Sequence, residues 1–335
     1  MHSVAKGRGG VSATVMAITV VFCLIGGVAS NWLGQVEPFL VLGMMLILGL
    51  PHGATDHGLF ESLPIGSLKE KGVSFYLAYV LILGVYGLLW MITPLLAFGI
   101  FLLLSVYHFG QSNWADVRYG SAWLARAHYV LWGAGVLLTP IFLYAGEAAT
   151  IVTAMTGYSL SVPSALTVGR LIGGLAVLNI VFVFALTNTG VLNRERCWKE
   201  ILGYGLLMTL FFTNSLLLGF TVYFVFWHSL ASLQDQLTFF KQRLPTANRR
   251  RLLLEIGTVV GGALAFCMIV WFGPGPAAAL EPAIIGKVFI LISILTLPHM
   301  LLVEQLYQEW SDSTSTQKIS KPQSLIRVPS EANRD

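Results

Sequence analysis

The sequence predicts an all-α protein that is embedded in a membrane, and three observations support this fold class. Of the 335 residues, 56% are hydrophobic and 11% are charged, whereas about 25% of the residues of an ordinary soluble domain are charged. Apolar runs follow one another almost from end to end, and ten of them approach the roughly 20 residues that a spanning helix needs. Most Lys and Arg residues lie in alternate connections, and the connections between these are nearly devoid of them. We therefore predict a polytopic helix bundle with about ten transmembrane helices.

The predicted spans are separated by short connections. They lie near residues 13–30, 36–55, 74–91, 94–112, 125–144, 167–187, 198–214, 216–233, 252–273 and 283–304. Two pairs are tight hairpins, with Pro94 and Asn214 in their turns, and both residue types favour turns. The first run is longer than the roughly 7–15 apolar residues of a cleavable signal peptide, so we interpret it as the first span.

We predict that the chain divides into three parts. Residues 1–12 form a cytoplasmic N-terminus, residues 13–306 the transmembrane catalytic domain, and residues 307–335 a disordered polar cytoplasmic tail rich in Ser, Thr, Lys and Gln. Such a composition cannot bury enough apolar surface to fold. Within the transmembrane domain, residues 145–166 are predicted to contain a short interfacial helix that ends at Tyr158.

The basic residues predict the orientation of the bundle. They occur in the N-terminal segment, in the even-numbered connections and in the tail, with Lys69 and Lys71 in the second connection and Arg249 to Arg251 in the eighth. Because cytoplasmic loops are enriched in Lys and Arg, both termini are predicted to be cytoplasmic. The Lys and Arg residues of these cytoplasmic segments also account for the net charge of +4. We therefore predict a multi-pass protein of the cell membrane that contacts the lipid bilayer and binds no nucleic acid.

Several familiar site patterns are absent from the sequence. Cys23, Cys197 and Cys267 are far apart and form no C-x-x-C pair, so they indicate neither a disulfide framework nor a metal site. The chain has no H-E-x-x-H motif, no P-loop and no G-x-G-x-x-G fingerprint in a βαβ setting. Zinc-peptidase, P-loop and dinucleotide-binding classes are therefore excluded, and the histidines become the main candidates for chemistry.

Five histidines share one depth in the predicted bundle. They are placed in or just past the last turns of four spans that all run toward the cytoplasm, at His52, His57, His108, His228 and His299. Ionisable groups within spans are costly and usually mark functional sites, and imidazole is a good ligand for zinc, copper, iron and nickel. If these helices are neighbours, the histidines would enclose one metal ion.

Residues around the histidines suit such a site. Pro51 and Pro298 each precede a histidine, and a proline within a helix bends it. Five polar residues are placed to accept a hydrogen bond from the ring N–H of a metal-bound histidine: Asp56, Gln111, Asn113, Asp116 and Glu304. Five aromatic residues are candidates to line an apolar pocket for a lipid-soluble substrate: Phe109, Trp114, Tyr223, Phe226 and Trp227.

The residues alone leave several functions open. A metal centre of dispersed histidines that acts on a lipid-soluble substrate is one hypothesis, and the identity of that lipid is left open. A haem-binding electron carrier would use two of the histidines as axial ligands. A metal-ion or proton transporter would use the histidines as a relay, but it would need polar residues across the whole bilayer, and the outer halves of the spans are almost wholly apolar.

Four segments resemble the Brp/Blh family of membrane β-carotene 15,15'-dioxygenases. They are PHGATDH (51–57), YHFGQ (107–111), FWHS (226–229) and PHMLLVE (298–304). The resemblance extends from about residue 38 to residue 306. It implies an iron(II) enzyme that uses O₂ to split the central double bond of β-carotene into two molecules of retinal, often to supply a rhodopsin.

The resemblance also implies roles for individual residues. His52, His108 and His228 correspond to iron ligands of the family and are the predicted catalytic residues, with Fe²⁺ as cofactor and a carotenoid and O₂ as substrates. The family pattern continues H-S-x-x-H after His228, whereas this chain has Ser232 at the last position. We therefore predict that His299, or alternatively His57, completes the coordination, and that Ser232 lies beside the metal ligands.

Overall fold

The structure is a computed structural model that describes residues 12–63, 68–243, 246–272 and 281–319. Within these ranges the chain is built from helices and short turns, and contains no β-strand. Several of the helices are long and apolar enough to span a membrane. The prediction of an all-α membrane bundle is confirmed as a fold class.

The first half of the chain supplies seven α-helices and one broken segment. The helices are α1 (Ala13–Val28), α2 (Ser30–Met44), α3 (Asp56–Ser62), α4 (Leu68–Ile92), α5 (Pro94–Trp114), α6 (Ala122–Leu143) and α7 (Ala145–Thr156). Between α2 and α3 the chain forms a π-helical turn, Met45–Gly49, and then a 3₁₀ segment, Leu50–Thr55. Pro51 lies in this 3₁₀ segment, where its missing N–H interrupts regular helical hydrogen bonding.

The second half contains six α-helices and a second π-helical turn. The helices are α8 (Ala165–Asn188), α9 (Arg194–Thr213), α10 (Leu216–Val222), α11 (Leu230–Arg243), α12 (Thr246–Phe272) and α13 (Pro282–Ile319). The π-helical turn, Tyr223–Ser229, joins α10 to α11 without a break. Polar caps begin several helices, because their side-chain oxygens accept the first orphan N–H groups. Ser215, for example, accepts from the backbone N–H of Leu218 at the start of α10.

Each predicted span coincides with a helix, but the helices differ in apolar length. Within the described residues, six stretches are long and apolar enough to cross a membrane, and the pair α6–α7, bent by 97°, makes a seventh if it counts as one span. Helix α1 has 16 residues, or about 24 Å, which is less than the hydrocarbon thickness of about 30 Å. Helix α9 begins with charged residues, and the apolar part of α12 within the described residues is short, Leu253–Gly262. The number ten stays a prediction.

Two boundaries differ in detail from the predictions. The predicted interfacial helix within residues 145–166 is α7, which ends at Thr156 because Gly157 adopts a left-handed conformation with φ of 75°. Helix α13 continues to Ile319 and so includes the first residues of the tail predicted from residue 307. Tyr307 is buried against the bundle, and its hydroxyl donates to Asp235 over 3.3 Å. Residues 1–11 and 320–335 lie outside the described residues.

Helices α5 and α6 approach each other closely enough for their backbones to touch. A Cβ atom added at Gly110 would overlap the carbonyl of Tyr129, and one added at Gly133 would overlap the carbonyl of Val106. Small residues permit such contacts between membrane helices. The close contact holds α5, and therefore His108, in a defined position inside the bundle.

Candidate functional site

Three of the predicted histidines meet inside the bundle. The ring centroid of His108, on α5, lies 4.9 Å from that of His228 and 5.7 Å from that of His299, and both pairs are edge-to-face. His228 belongs to the second π-helical turn and His299 to α13. Each side chain is at most 3% exposed. The structure thus brings together three imidazoles from three helical segments far apart in sequence.

The two π-helical turns are fastened to each other beside these rings. The hydroxyl of Ser229 donates to the carbonyl oxygens of Leu48 and Gly49, over 3.2 and 2.9 Å. These carbonyls directly precede the 3₁₀ segment with Pro51, where regular helical donors are lost. Ser229, next to His228, therefore holds the backbone turn that carries His52. The side chain of His52 lies outside the described part of the structure.

Asp56 binds the histidine on α13. One carboxylate oxygen is 2.6 Å from Nδ1 of His299, and the other accepts a hydrogen bond from the hydroxyl of Tyr79 over 3.0 Å. A carboxylate at Nδ1 favours the tautomer that carries its proton there, which leaves the lone pair on Nε2. This is the arrangement that usually orients a metal-bound histidine, and the role of Asp56 at a metal stays a prediction.

His57 contacts a different group of residues. Its Nδ1 lies 3.3 Å from a carboxylate oxygen of Glu255, on α12, and its Nε2 lies 3.7 Å from one of Glu61. The ring also stacks on Tyr76 of α4, with centroids 5.4 Å apart. These contacts place His57 against α4 and α12, so the geometry favours His299 over His57 as the partner of His108 and His228.

Gln111 and Glu304 were both predicted to accept hydrogen bonds from histidine rings, and the structure instead joins them to each other. The amide nitrogen of Gln111 donates to Glu304 over 2.6 Å, which connects α5 to α13. Gln111 and Glu304 therefore hold together the two helices that carry His108 and His299.

Asp116, another predicted partner of a histidine, binds the guanidinium of Arg196 through both oxygens, over 2.5 and 2.9 Å.

Ser232, one helical turn after His228, is buried in a polar chain. Its hydroxyl accepts from the amide nitrogen of Gln236 over 3.3 Å, and the amide oxygen of Gln236 accepts from the hydroxyl of Thr55. The three residues are at most 1% exposed. This chain of hydrogen bonds ties α11 to the 3₁₀ segment, so Ser232 is connected through Gln236 to the backbone turn of His52.

The aromatic residues near the imidazoles are only partly those that the sequence indicated. Phe109 meets His228 edge-on, with centroids 4.5 Å apart, and Phe224 stacks on His228 at 5.7 Å. Trp227 instead donates to Thr19 of α1 over 2.9 Å, and Trp114 packs on His128 at 4.2 Å. The sequence analysis missed Phe224, although its spacing of four residues from His228 would have indicated a shared helix face.

A second buried polar cluster lies between α5, α6 and α9. His128 is fully buried, its Nδ1 is 2.6 Å from the hydroxyl of Tyr119, and the guanidinium of Arg196 also contacts Glu200 over 3.2 Å. Burial raises the pKa of Tyr119, which lies in the connection between α5 and α6, far above its ordinary value. Tyr119 therefore stays protonated and able to donate.

The donor chemistry of the histidine site suits a transition-metal ion, because clustered neutral imidazoles with a carboxylate at an outer ring nitrogen are typical of such sites. Among the described side chains, no three His, Cys, Asp or Glu residues adopt the arrangement of a complete metal site. A fourth imidazole, that of His52, is carried by the adjoining turn but is not among those side chains. The residues that the structure describes fit the chemistry of a metal.

An open groove of about 660 Å³ lies elsewhere, between α7 and the start of α13. It is lined by residues such as Thr150, Thr153 and Pro282. Pro282 and His299 are separated along α13 by about 25 Å. The groove is therefore separate from the histidine site.

Comparison with known proteins finds similarity to β-carotene 15,15'-dioxygenases. The family model described as β-carotene 15,15'-dioxygenase matches residues 43–307. A protein of Halobacterium salinarum named as a probable β-carotene 15,15'-dioxygenase, Blh, is 24% identical over 288 residues, which cover 77% of this chain and 81% of the relative. A β-carotene 15,15'-dioxygenase of an uncultured marine bacterium is 24% identical over 290 residues, 81% of this chain and 94% of the relative. No solved structure matches the chain.

Proposed function

This chain belongs to the β-carotene 15,15'-dioxygenase family, and from that membership we propose that it splits the central double bond of β-carotene, or of a related apolar polyene, with O₂ to give retinal. The observation that carries the proposal is the meeting of His108, His228 and His299 within the stretch that matches the family. Atoms balance in this reaction, because one carbon–carbon double bond and one O₂ become two carbonyl groups.

We propose Fe²⁺ as the cofactor, held by His52, His108, His228 and His299. Two observations support this set of ligands: the described imidazoles are suitable donors, and the backbone turn that carries His52 is bonded to Ser229, next to His228. Bound iron would supply the binding and activation of O₂. In this arrangement His57 has no ligand role, because its ring is engaged with Glu255 and Glu61.

The protein's own side chains hold the site and the substrate. The carboxylate of Asp56 retains the proton of His299 on Nδ1, and the hydroxyl of Tyr79 orients that carboxylate. Phe109 and Phe224 present apolar surfaces directly beside His228. A rigid polyene that lies against these rings would keep its reacting bond close to the imidazoles and would exclude water. The energy of binding would thus hold the reacting bond in the orientation that the reaction needs.

We further propose that the protein is a multi-pass protein of the cell membrane, with about ten spans and both termini in the cytoplasm. The apolar helices and the alternation of Lys and Arg along the chain support this topology. The bilayer would then deliver the apolar carotenoid directly to the bundle. The product suggests a functional link to a retinal-binding rhodopsin.

The geometry does not favour the haem-carrier alternative. Phe109 and Phe224 pack directly on the ring of His228, with centroids 4.5 and 5.7 Å away, and occupy space that a porphyrin would need on that side. A haem protein would also show a strong Soret band after purification. We expect no such band.

The test is expression of the full chain in cells that accumulate β-carotene. We expect loss of orange colour and the appearance of retinal by chromatography. The variant His228→Ala, assayed at equal expression, is expected to leave the pigment intact. Unchanged pigment in cells expressing the wild-type protein, with iron verified in the purified protein, would contradict the carotenoid proposal and indicate a different apolar substrate.

A further inference from the structure

A stripe of accessible aromatic rings runs along the otherwise buried segment that carries His228. Between Leu216 and Ser229 almost every side chain is buried, and the apolar exceptions are the partly exposed Phe220, Phe224 and Phe226. Phe226 faces α1, where its ring lies 6.5 Å from that of Phe22. Phe220 and Phe224 are one turn apart, and one more turn leads to His228. The stripe therefore ends at the imidazoles.

The rings of this stripe lie nearly parallel and in sequence. Phe224 stacks on His228 with an interplanar angle of 29°, and Phe220 stacks on Phe224 at 5.9 Å and 23°. Phe289 of α13 extends the row with its ring tilted by 47°, 6.5 Å from Phe220. Because His228 and Phe220 are eight residues apart, the row is about 12 Å long on that helix. That is enough to accommodate several conjugated double bonds.

Two further contacts define the sides of the row. Phe109 of α5 approaches Phe220 and Phe224 edge-on, at 6.3 and 6.2 Å. At Gly49, a Cβ atom would come within 2.9 Å of the ring of Phe224. The first π-helical turn thus leaves room for the Phe224 ring only because residue 49 has no side chain. The position of this ring is set from two other segments.

A row of flat apolar faces suits a flat, rigid and apolar ligand. Aromatic faces offer a large contact area at low cost in side-chain entropy, and they bind by dispersion without needing polar partners. We propose that Phe220, Phe224 and Phe289 form a wall against which one arm of the polyene lies, and that Phe220 sets how far this arm enters. The wall would then determine which double bond lies beside His108 and His228. This inference rests on the proposed function and names the part of the site that selects the cleavage position.

The experiment compares variants of the wall with a matched phenylalanine that faces outward. Phe220→Ala, Phe220→Trp and Phe289→Leu are assayed in detergent with β-carotene, and Phe212→Ala is the control, because Phe212 is 57% exposed on α9. Products are separated by chromatography, KM and kcat are measured, and the β-carotene that copurifies with each protein is quantified. Three wall variants are used so that poor folding of one does not decide the outcome.

We expect the wall variants to replace part of the retinal with pairs of unequal apocarotenals, because a different double bond is presented. For Phe220→Ala, the loss of ring contact is expected to raise KM about tenfold, with kcat much less affected. Phe212→Ala should behave like the wild-type protein. Retinal as the only product, with unchanged KM in all wall variants, would overturn the proposal.

The outcome is separable from that of the proposed function. If the wild-type protein binds but does not cleave β-carotene, the cleavage proposal fails, and the copurified pigment still tests the wall. Less pigment with Phe220→Ala than with Phe212→Ala would support it. Equal pigment in both variants, or no bound pigment in the wild-type protein, would overturn it.

Discussion

Asp56 and His299, which are 243 residues apart in sequence, are joined by a contact of 2.6 Å between a carboxylate oxygen and Nδ1. Both side chains are buried, and the contact fastens the start of α3 to the middle of α13. A buried carboxylate next to imidazole is costly unless it is bonded. Tyr79 donates to the second oxygen and lowers that cost. The arrangement fixes the orientation of His299 toward His108.

Replacement of Asp56 by Ala is predicted to weaken metal binding by about 10–100-fold, the usual effect of losing a partner of a metal-bound histidine. Asp56→Asn retains an acceptor for the Nδ1 proton, so we expect a smaller loss. The measurement is iron content and affinity of the purified protein by metal titration, together with retinal formation.

Tyr79→Phe serves as the matched control, because it removes the outer hydrogen bond and leaves the contact between Asp56 and His299 in place. We expect it to have the smallest effect of the three variants. Equal iron affinity in the Asp56→Ala and wild-type proteins would show that Asp56 does not act through a metal ligand.

The two candidates for the remaining ligand position, His299 and His57, are predicted to respond differently to replacement. His299→Ala should lose bound iron and activity, since its ring is 5.7 Å from His108. His57→Gln should retain both, because its contacts are with Glu61, Glu255 and Tyr76. The measurement is the iron content of both purified variants by elemental analysis. Loss of iron in His57→Gln, with normal iron in His299→Ala, would make His57 the ligand.

The helices and the shared depth of the histidines could be predicted from the sequence, because hydropathy and span length depend on local composition. Which histidines converge could not be predicted. His57 and His299 are both near the ends of spans, and the direction of His57 depends on the π-helical and 3₁₀ turns that precede it, Met45–Gly49 and Leu50–Thr55. Such turns rotate the following residues relative to a regular helix, and hydrophobic periodicity does not reveal them.

The hydrogen-bond and ion-pair partners of the polar residues could not be predicted from the sequence either. Gln111 and Glu304 have the spacing of histidine partners, but their contact depends on how α5 and α13 are rotated against each other. In the structure Arg196, in the first turn of α9, is paired with Asp116 and with Glu200 of its own helix, since burying a charge is tolerated when it is paired.

Loss of the hydroxyl of Ser229 is predicted to loosen the turn that carries His52. Ser229→Ala removes the donor to the Leu48 and Gly49 carbonyls and leaves buried acceptors without it, at a cost of about 1–3 kcal/mol. We expect lower thermal stability and a lower iron content. Ser293→Ala is the control, because this buried hydroxyl donates to the carbonyl of Ile290 on its own helix, α13. A normal iron content in Ser229→Ala, with reduced stability, would mean that the hydroxyl supports the fold and not the site.

A methyl group at Gly110 is predicted to force α5 and α6 apart. The new Cβ would overlap the backbone carbonyl of Tyr129, and backbone atoms cannot move aside as a flexible side chain can. We expect Gly110→Ala to destabilise the protein by about 3 kcal/mol and to reduce activity, because the shift displaces His108. Gly99, on the same helix, has open space around it, so Gly99→Ala should be neutral or slightly stabilising. Thermal unfolding of both variants in detergent tests the prediction, which fails if the two melt at the same temperature.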